Sequence, residues 1–139
     1  MQIVVKETLT KDDANNREEV IEAYFARTKA LEQRITDDPY FWTVEAMWEM
    51  IERVPDAAWT VILEMIKRAD GDYQIASIAA GPLEDFIVRH GWQYLNHLES
   101  EARANAKFRR ALVGVWGESR MSEELVLRLR ALVQGEPPL

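Results

Sequence analysis

Proline, glycine and aspartate punctuate this chain at Asp37-Asp38-Pro39, Val54-Pro55-Asp56, Asp70-Gly71-Asp72, Gly81-Pro82, Gly91 and Gly135-Glu136-Pro137-Pro138, and the pieces between the marks have helical lengths. The residue before a proline avoids the helical region, while proline itself suits a first helical turn, so Asp38 and Val54 close one helix and Pro39 and Pro55 open the next. Against this, Ile3-Val4-Val5 is a three-residue apolar run with no second candidate strand to pair with, and it cannot build a sheet. The fold class that follows is all-α, a compact antiparallel helical bundle or a short HEAT-like stack of helix pairs with about seven or eight helices. A single helical domain is expected over 12–134, preceded by an extended arm over 1–11 and followed by a frayed tail over 135–139.

Within the pieces, apolar residues recur at helical spacing. Val20, Ile21, Tyr24, Phe25, Leu31 and Ile35 mark a long first helix opened by Asp12 or Asp13. Phe41, Val44, Met47, Trp48 and Ile51 form the stripe of a second, starting near Pro39, and Ala58-Trp59-Thr60-Val61-Ile62-Leu63, apolar nearly all round, makes the third the most buried. Tyr73, Ile75, Ile78 and Ala79 mark a fourth, which reaches a kink or break at Gly81-Pro82. The next helix carries Glu84 and Asp85 at its positive end and Arg89 and His90 before a terminal Gly91, the charge order that the macrodipole favours. Trp92, Leu95, Leu98 and Ala102, then Phe108, Leu112, Val115 and Trp116, mark two more, and Ser122 caps the last, which carries Leu125, Leu129, Leu132 and Val133.

Charge narrows the partners. The net charge is -7, and it is uneven: residues 1–70 hold 15 acids against 9 Lys or Arg, residues 71–139 hold 9 against 8. A negative field disfavours nucleic acid and anionic membranes and favours basic partners. No apolar run is long enough to span a bilayer and no basic leader opens the chain, so a cytoplasmic location is expected. With no cysteine, disulfides and thiolate metal sites are excluded.

At Ala69-Asp70-Gly71-Asp72, Ala79-Ala80-Gly81-Pro82-Leu83-Glu84-Asp85-Phe86, Arg89-His90-Gly91, Phe108-Arg109-Arg110-Ala111-Leu112 and Val115-Trp116, the chain resembles a family of small bacterial helical proteins known only as a domain of unknown function. The resemblance covers residues 57–133 and implies relatives without implying a role. A weaker likeness to HEAT-type helix pairs rests on the Asp-rich turn. Residues 1–56 fall outside the resemblance and hold most of the negative charge, so what is particular to this protein is expected there.

Candidate chemistry is sparse. Glu84 and Asp85 are adjacent, about 100° apart on a helix, and cannot converge on one proton or metal. His90 and His97 lack the four-residue spacing of helical zinc ligands, the glycines form no phosphate loop, and no nucleophile motif is present. No catalytic residue, metal or cofactor is expected. Arg103, Lys107, Arg109 and Arg110 are the one basic cluster, read as a solvated face paired with acids of the first half. The pattern favours a non-catalytic protein-binding module, such as an antitoxin-like immunity protein that masks a basic partner. Its expected contact residues are Glu18, Glu22, Glu45, Glu49 and Glu52, with Trp42 as an exposed anchor beside the stripe. The alternatives are an enzyme or small-molecule binder with a pocket rimmed by Glu84, His90 and Trp92, or an oligomeric scaffold.

Overall fold

The computed structural model describes residues 11–35 and 37–139, with side chains from Asn16 onward. The arm expected over 1–11 lies outside them, except that Lys11 already belongs to the first helix. Among the described residues the chain is all-α. Its helices are α1 (Lys11–Glu32), α2 (Trp42–Arg53), α3 (Pro55–Arg68), α4 (Gly71–Ile78), α5 (Glu84–His90), α6 (Leu95–Ala104), α7 (Ala106–Leu112) and α8 (Glu123–Leu132). A π turn over Ala79–Leu83 joins α4 to α5, and a 3-10 turn over Glu118–Arg120 precedes α8. Contacts divide the chain into two units, residues 1–61 and 62–139, with the boundary inside α3.

In the first unit α1 packs on α2. Asp12 and Asp13 lie within α1, so neither caps it, and the helix stops at Glu32, short of the Asp37-Asp38-Pro39 mark. The stop is a Schellman turn. The Arg34 N–H donates to the Leu31 carbonyl and the Ile35 N–H to the Ala30 carbonyl, both at 3.0 Å, around Arg34 at φ 61°. Leu31 and Ile35, expected on the apolar stripe, are exposed as a result. Asp38 then ties the connecting turn back to α1: the Arg27 Nε donates to its carboxylate at 2.9 and 3.2 Å, and the same guanidinium lies 5.6 Å from the Phe41 ring centre.

Helix α2 begins at Trp42 rather than near Pro39, and its buried face is Thr43, Ala46, Met47, Met50 and Ile51. The Thr43 hydroxyl donates to the Tyr40 carbonyl at 2.8 Å, which satisfies it in the core. The expected stripe is therefore wrong in phase. Phe41 and Trp48 are exposed, and Trp42, expected to be the exposed one, is half-buried. Helix α3 opens at Pro55 as the sequence predicts, with Ala57, Ala58 and Val61 buried in the first unit and Ile62, Met65 and Ile66 in the second.

In the second unit α7 packs against α4 and α6, and α6 against α8, around Phe86, Ile87, Leu98, Phe108 and Leu125. The Gly81-Pro82 mark is a kink: Gly81 takes φ −111°, ψ −109°, and Pro82 is buried inside the π turn. Glu84 and Asp85 lie in the first turn of α5, and Arg89 and His90 in its last, as expected. Gly91 does not adopt the left-handed cap conformation; its φ is −56°. A glycine is needed there because a Cβ would run into the Ile87 carbonyl oxygen and would also lie 2.9 Å from Leu125 Cδ2 on α8. Helix α6 starts at Leu95, leaving Trp92 exposed in the turn before it. Asn105 caps α7 by accepting from the Lys107 and Phe108 N–H groups, both at 3.1 Å. Helix α7 ends at Leu112, so Trp116 leaves the expected stripe and is 81% exposed. Ser122 caps α8 as predicted, its Oγ accepting from the Leu125 N–H at 3.2 Å.

Candidate functional site

Since α2 turns Thr43, Ala46 and Met47 inward, what lies opposite is presented to solvent. That face carries Phe41, Glu45, Trp48, Glu49 and Glu52, positions related by steps of three, four and seven. The Phe41 and Trp48 rings meet edge to face, centroids 6.4 Å apart at 87°, and Trp48 keeps 52% of its surface exposed. Glu45 and Glu52 are exposed beside them, and Glu49 accepts from Arg53 Nη1 at 3.1 Å, a helical i,i+4 pair. Two aromatic rings framed by carboxylates form a site with an apolar centre and an acidic rim, able to bury a long cationic side chain against the rings. On α1, Glu18 and Glu22 are also exposed. The sequence reading missed Phe41 and Trp48. Trp42 lies three and seven residues from Glu45 and Glu49, so spacing alone does not separate it from Phe41 and Trp48; what separates them is exposure, Trp42 being half-buried and Phe41 and Trp48 exposed.

The alternative triad does not converge. Glu84 and His90 stand at opposite ends of α5, about 9 Å apart along its axis at 1.5 Å per residue. Glu84 accepts from the Trp116 N–H at 2.9 Å and from Arg120 Nη2 at 2.6 Å, with its stem against Gly117. His90 stacks in a row of rings, 5.5 Å from Phe86 and 6.2 Å from Tyr94. Trp92 is exposed in the following turn.

Among the described residues, the basic cluster is engaged within the second unit and not with acids of the first half. Lys107 Nζ donates to the Lys67 and Ala69 carbonyls at 2.9 and 2.6 Å, neutralising the negative end of α3. Arg103 approaches Glu99 at 4.0 Å, and Arg110 pairs with Asp72 at 3.6 Å. Arg109 Nε donates to Glu136 at 2.7 Å, and Arg110 donates to the Pro137 and Pro138 carbonyls, all three acceptors lying in the tail over 135–139. Two recesses of about 440 Å³ lie in this unit: one lined by Glu99, Arg103, Arg109 and Arg128, the other by Ala76, Ala80, Gly114, Trp116 and Leu139.

Among the described residues no three His, Cys, Asp or Glu side chains group as a metal site would require, and no helix is long and apolar enough to cross a membrane. The chain belongs to a family of unknown function, DUF6869, whose model matches residues 30–136. That match reaches further back than the motif resemblance over 57–133: it takes in the Schellman turn and α2, and leaves Glu18 and Glu22 outside. No curated protein and no solved structure matches the chain.

Proposed function

We propose that the protein is a non-catalytic protein-binding module that captures a basic partner through the outer face of α2. The supporting observation is the exposed Phe41–Trp48 pair with Glu45, Glu49 and Glu52 around it. Tryptophan is enriched among the residues that dominate binding energy, and here it sits at the centre of a charged rim. Carboxylates on the rim raise the encounter rate with a cationic surface and select against acidic competitors. Glu18 and Glu22 extend the negative field outside the family region, where a feature specific to this member would be placed. An immunity-type role, masking a basic toxin in the cytoplasm, fits this chemistry, and a HEAT-like pairing of helices is the architecture we assign to it.

The test is capture from the native host by the wild-type chain and by Trp48→Ala and Glu45→Lys/Glu49→Lys variants, at low and high salt. A specific partner is expected that is lost in each variant and weakened by salt. A partner held equally by all three chains would refute the reading. Self-association abolished by Trp48→Ala would replace it with the scaffold alternative.

A further inference from the structure

The segment Glu136–Leu139 is bound to the second unit as a peptide ligand is bound. After Gly135 turns the chain at φ 89°, Arg109 takes the Glu136 carboxylate at 2.7 Å. Arg110 then donates to two successive carbonyls, those of Pro137 and Pro138, the latter at 3.0 Å. Leu139 lies on the bare backbone of Gly114, where a Cβ would come within 2.9 Å of its Cδ1. Beside it is the recess of about 440 Å³ lined by Ala76, Ala80 and Trp116.

Each contact answers a chemical property of the segment. Proline has no N–H, so its carbonyls are the only backbone groups a receptor can hold, and one guanidinium spans two of them. Prolines pre-extend the segment and lower the cost of ordering it. The residue ahead of the prolines is acidic and meets an arginine, and the residue after them is aliphatic and meets a glycine floor. One further bond ties the segment to the end of α8, the Glu136 N–H donating to the Val133 carbonyl at 3.0 Å; the contacts with Arg109, Arg110 and Gly114 are made by residues of other elements, and for these the covalent link supplies a high effective concentration.

We infer that this groove is a docking site for an extended segment of a partner protein with the order acidic, proline, proline, aliphatic, and that Glu136–Leu139 occupies it in cis as a competitor. The inference does not depend on the α2 face. Trp116, 81% exposed at the rim of the recess, is the residue a longer or bulkier incoming segment would cover.

The probe is a fluorescent peptide, Gly-Glu-Pro-Pro-Leu with blocked ends, titrated into the full chain and followed by the anisotropy of the peptide label. The wild type and a Glu136→Lys/Leu139→Asp variant, which alters the segment and leaves the groove intact, are compared. The variant is expected to bind at least about tenfold more tightly than the wild type, because the internal competitor is weakened. Adding Arg110→Ala is expected to remove that binding, and a scrambled peptide is expected not to bind. Should the variant fail to fold by circular dichroism, the Pro138→Gly chain serves in its place. Equal affinity for both chains, no binding by the folded variant at about 1 mM peptide, or binding that survives Arg110→Ala would overturn the inference. So would a wild-type dimer lost in Arg110→Ala, which would assign the groove to a second copy.

Discussion

Glu99 on α6 accepts three hydrogen bonds from the Arg128 guanidinium on α8, at 2.8, 2.9 and 3.1 Å. The two ends of the pair are unequally buried: the Glu99 side chain is 11% exposed and that of Arg128 46%. A guanidinium with that much solvent contact rehydrates when its partner goes, whereas a covered carboxylate left alone does not. Arg128→Ala is therefore expected to destabilise the protein by about 2 kcal/mol, and Glu99→Ala by less, about 1 kcal/mol. Urea unfolding of both variants checks the order. Equal costs would mean that Arg103, now 4.0 Å from Glu99, moves in as a substitute.

At Gly91 the space for a side chain is already taken. A Cβ would collide with the Ile87 carbonyl oxygen and lie 2.9 Å from Leu125 Cδ2 and 3.0 Å from Ile87 Cγ2, while Gly71, at φ 80°, has nothing within 4 Å. Gly91→Ala sets a methyl against the Ile87 carbonyl oxygen as well as Leu125, so the end of α5 must shift, and it should cost about 1–3 kcal/mol through overpacking. Gly71→Ala meets only backbone strain and should cost about 1 kcal/mol. Thermal melts of the two variants separate the mechanisms, since Leu125→Ala should relieve the first loss in part and leave the second unchanged.

Arg34 is the described non-glycine residue with positive φ, 61°, and it occupies the left-handed position of the turn that ends α1. A side chain there is strained by about 1 kcal/mol, and glycine removes the strain at some cost in unfolded-state entropy. Arg34→Gly is expected to raise stability by about 0.5 kcal/mol, seen as a higher melting temperature. A drop would show that the arginine side chain makes a compensating contact.

Local signals were legible in the sequence and long-range partners were not. The Pro55 start, the Ser122 cap and the charge order along α5 each act within one turn, and each is found where the residues predict it. The phase of α2 failed because hydropathy gives Phe41 and Trp48 more weight than Thr43 and Ala46. Small residues are what a close helix approach selects, and the Thr43 hydroxyl is silenced by a carbonyl three residues back. The partners of Glu99, Arg109 and Glu84 lie 29, 27 and 36 residues away along the chain. No periodicity encodes such distances, so the acidic character of the candidate face was readable while its aromatic centre was displaced from Trp48 to Trp42.

Glu84 makes the clearest separation of a structural role from a chemical one. Its carboxylate holds the Trp116 N–H at 2.9 Å and Arg120 at 2.6 Å, and its side chain is 14% exposed, so it fastens the turn after α7 to the start of α5. Glu84→Gln keeps an acceptor for the N–H but loses the charge that Arg120 and the first turn of α5 favour. A loss of about 1 kcal/mol is expected for Gln, and about 2 kcal/mol for Ala, which also strands the amide. Arg120→Ala leaves the 14% exposed carboxylate without its counter-charge, so it should cost more than Glu84→Gln, and combining the two should be less than additive because both remove the same pair. Chemical denaturation of the four chains measures the coupling. Unchanged stability in Glu84→Gln, accompanied by loss of a captured partner, would move this carboxylate from the scaffold to the binding surface.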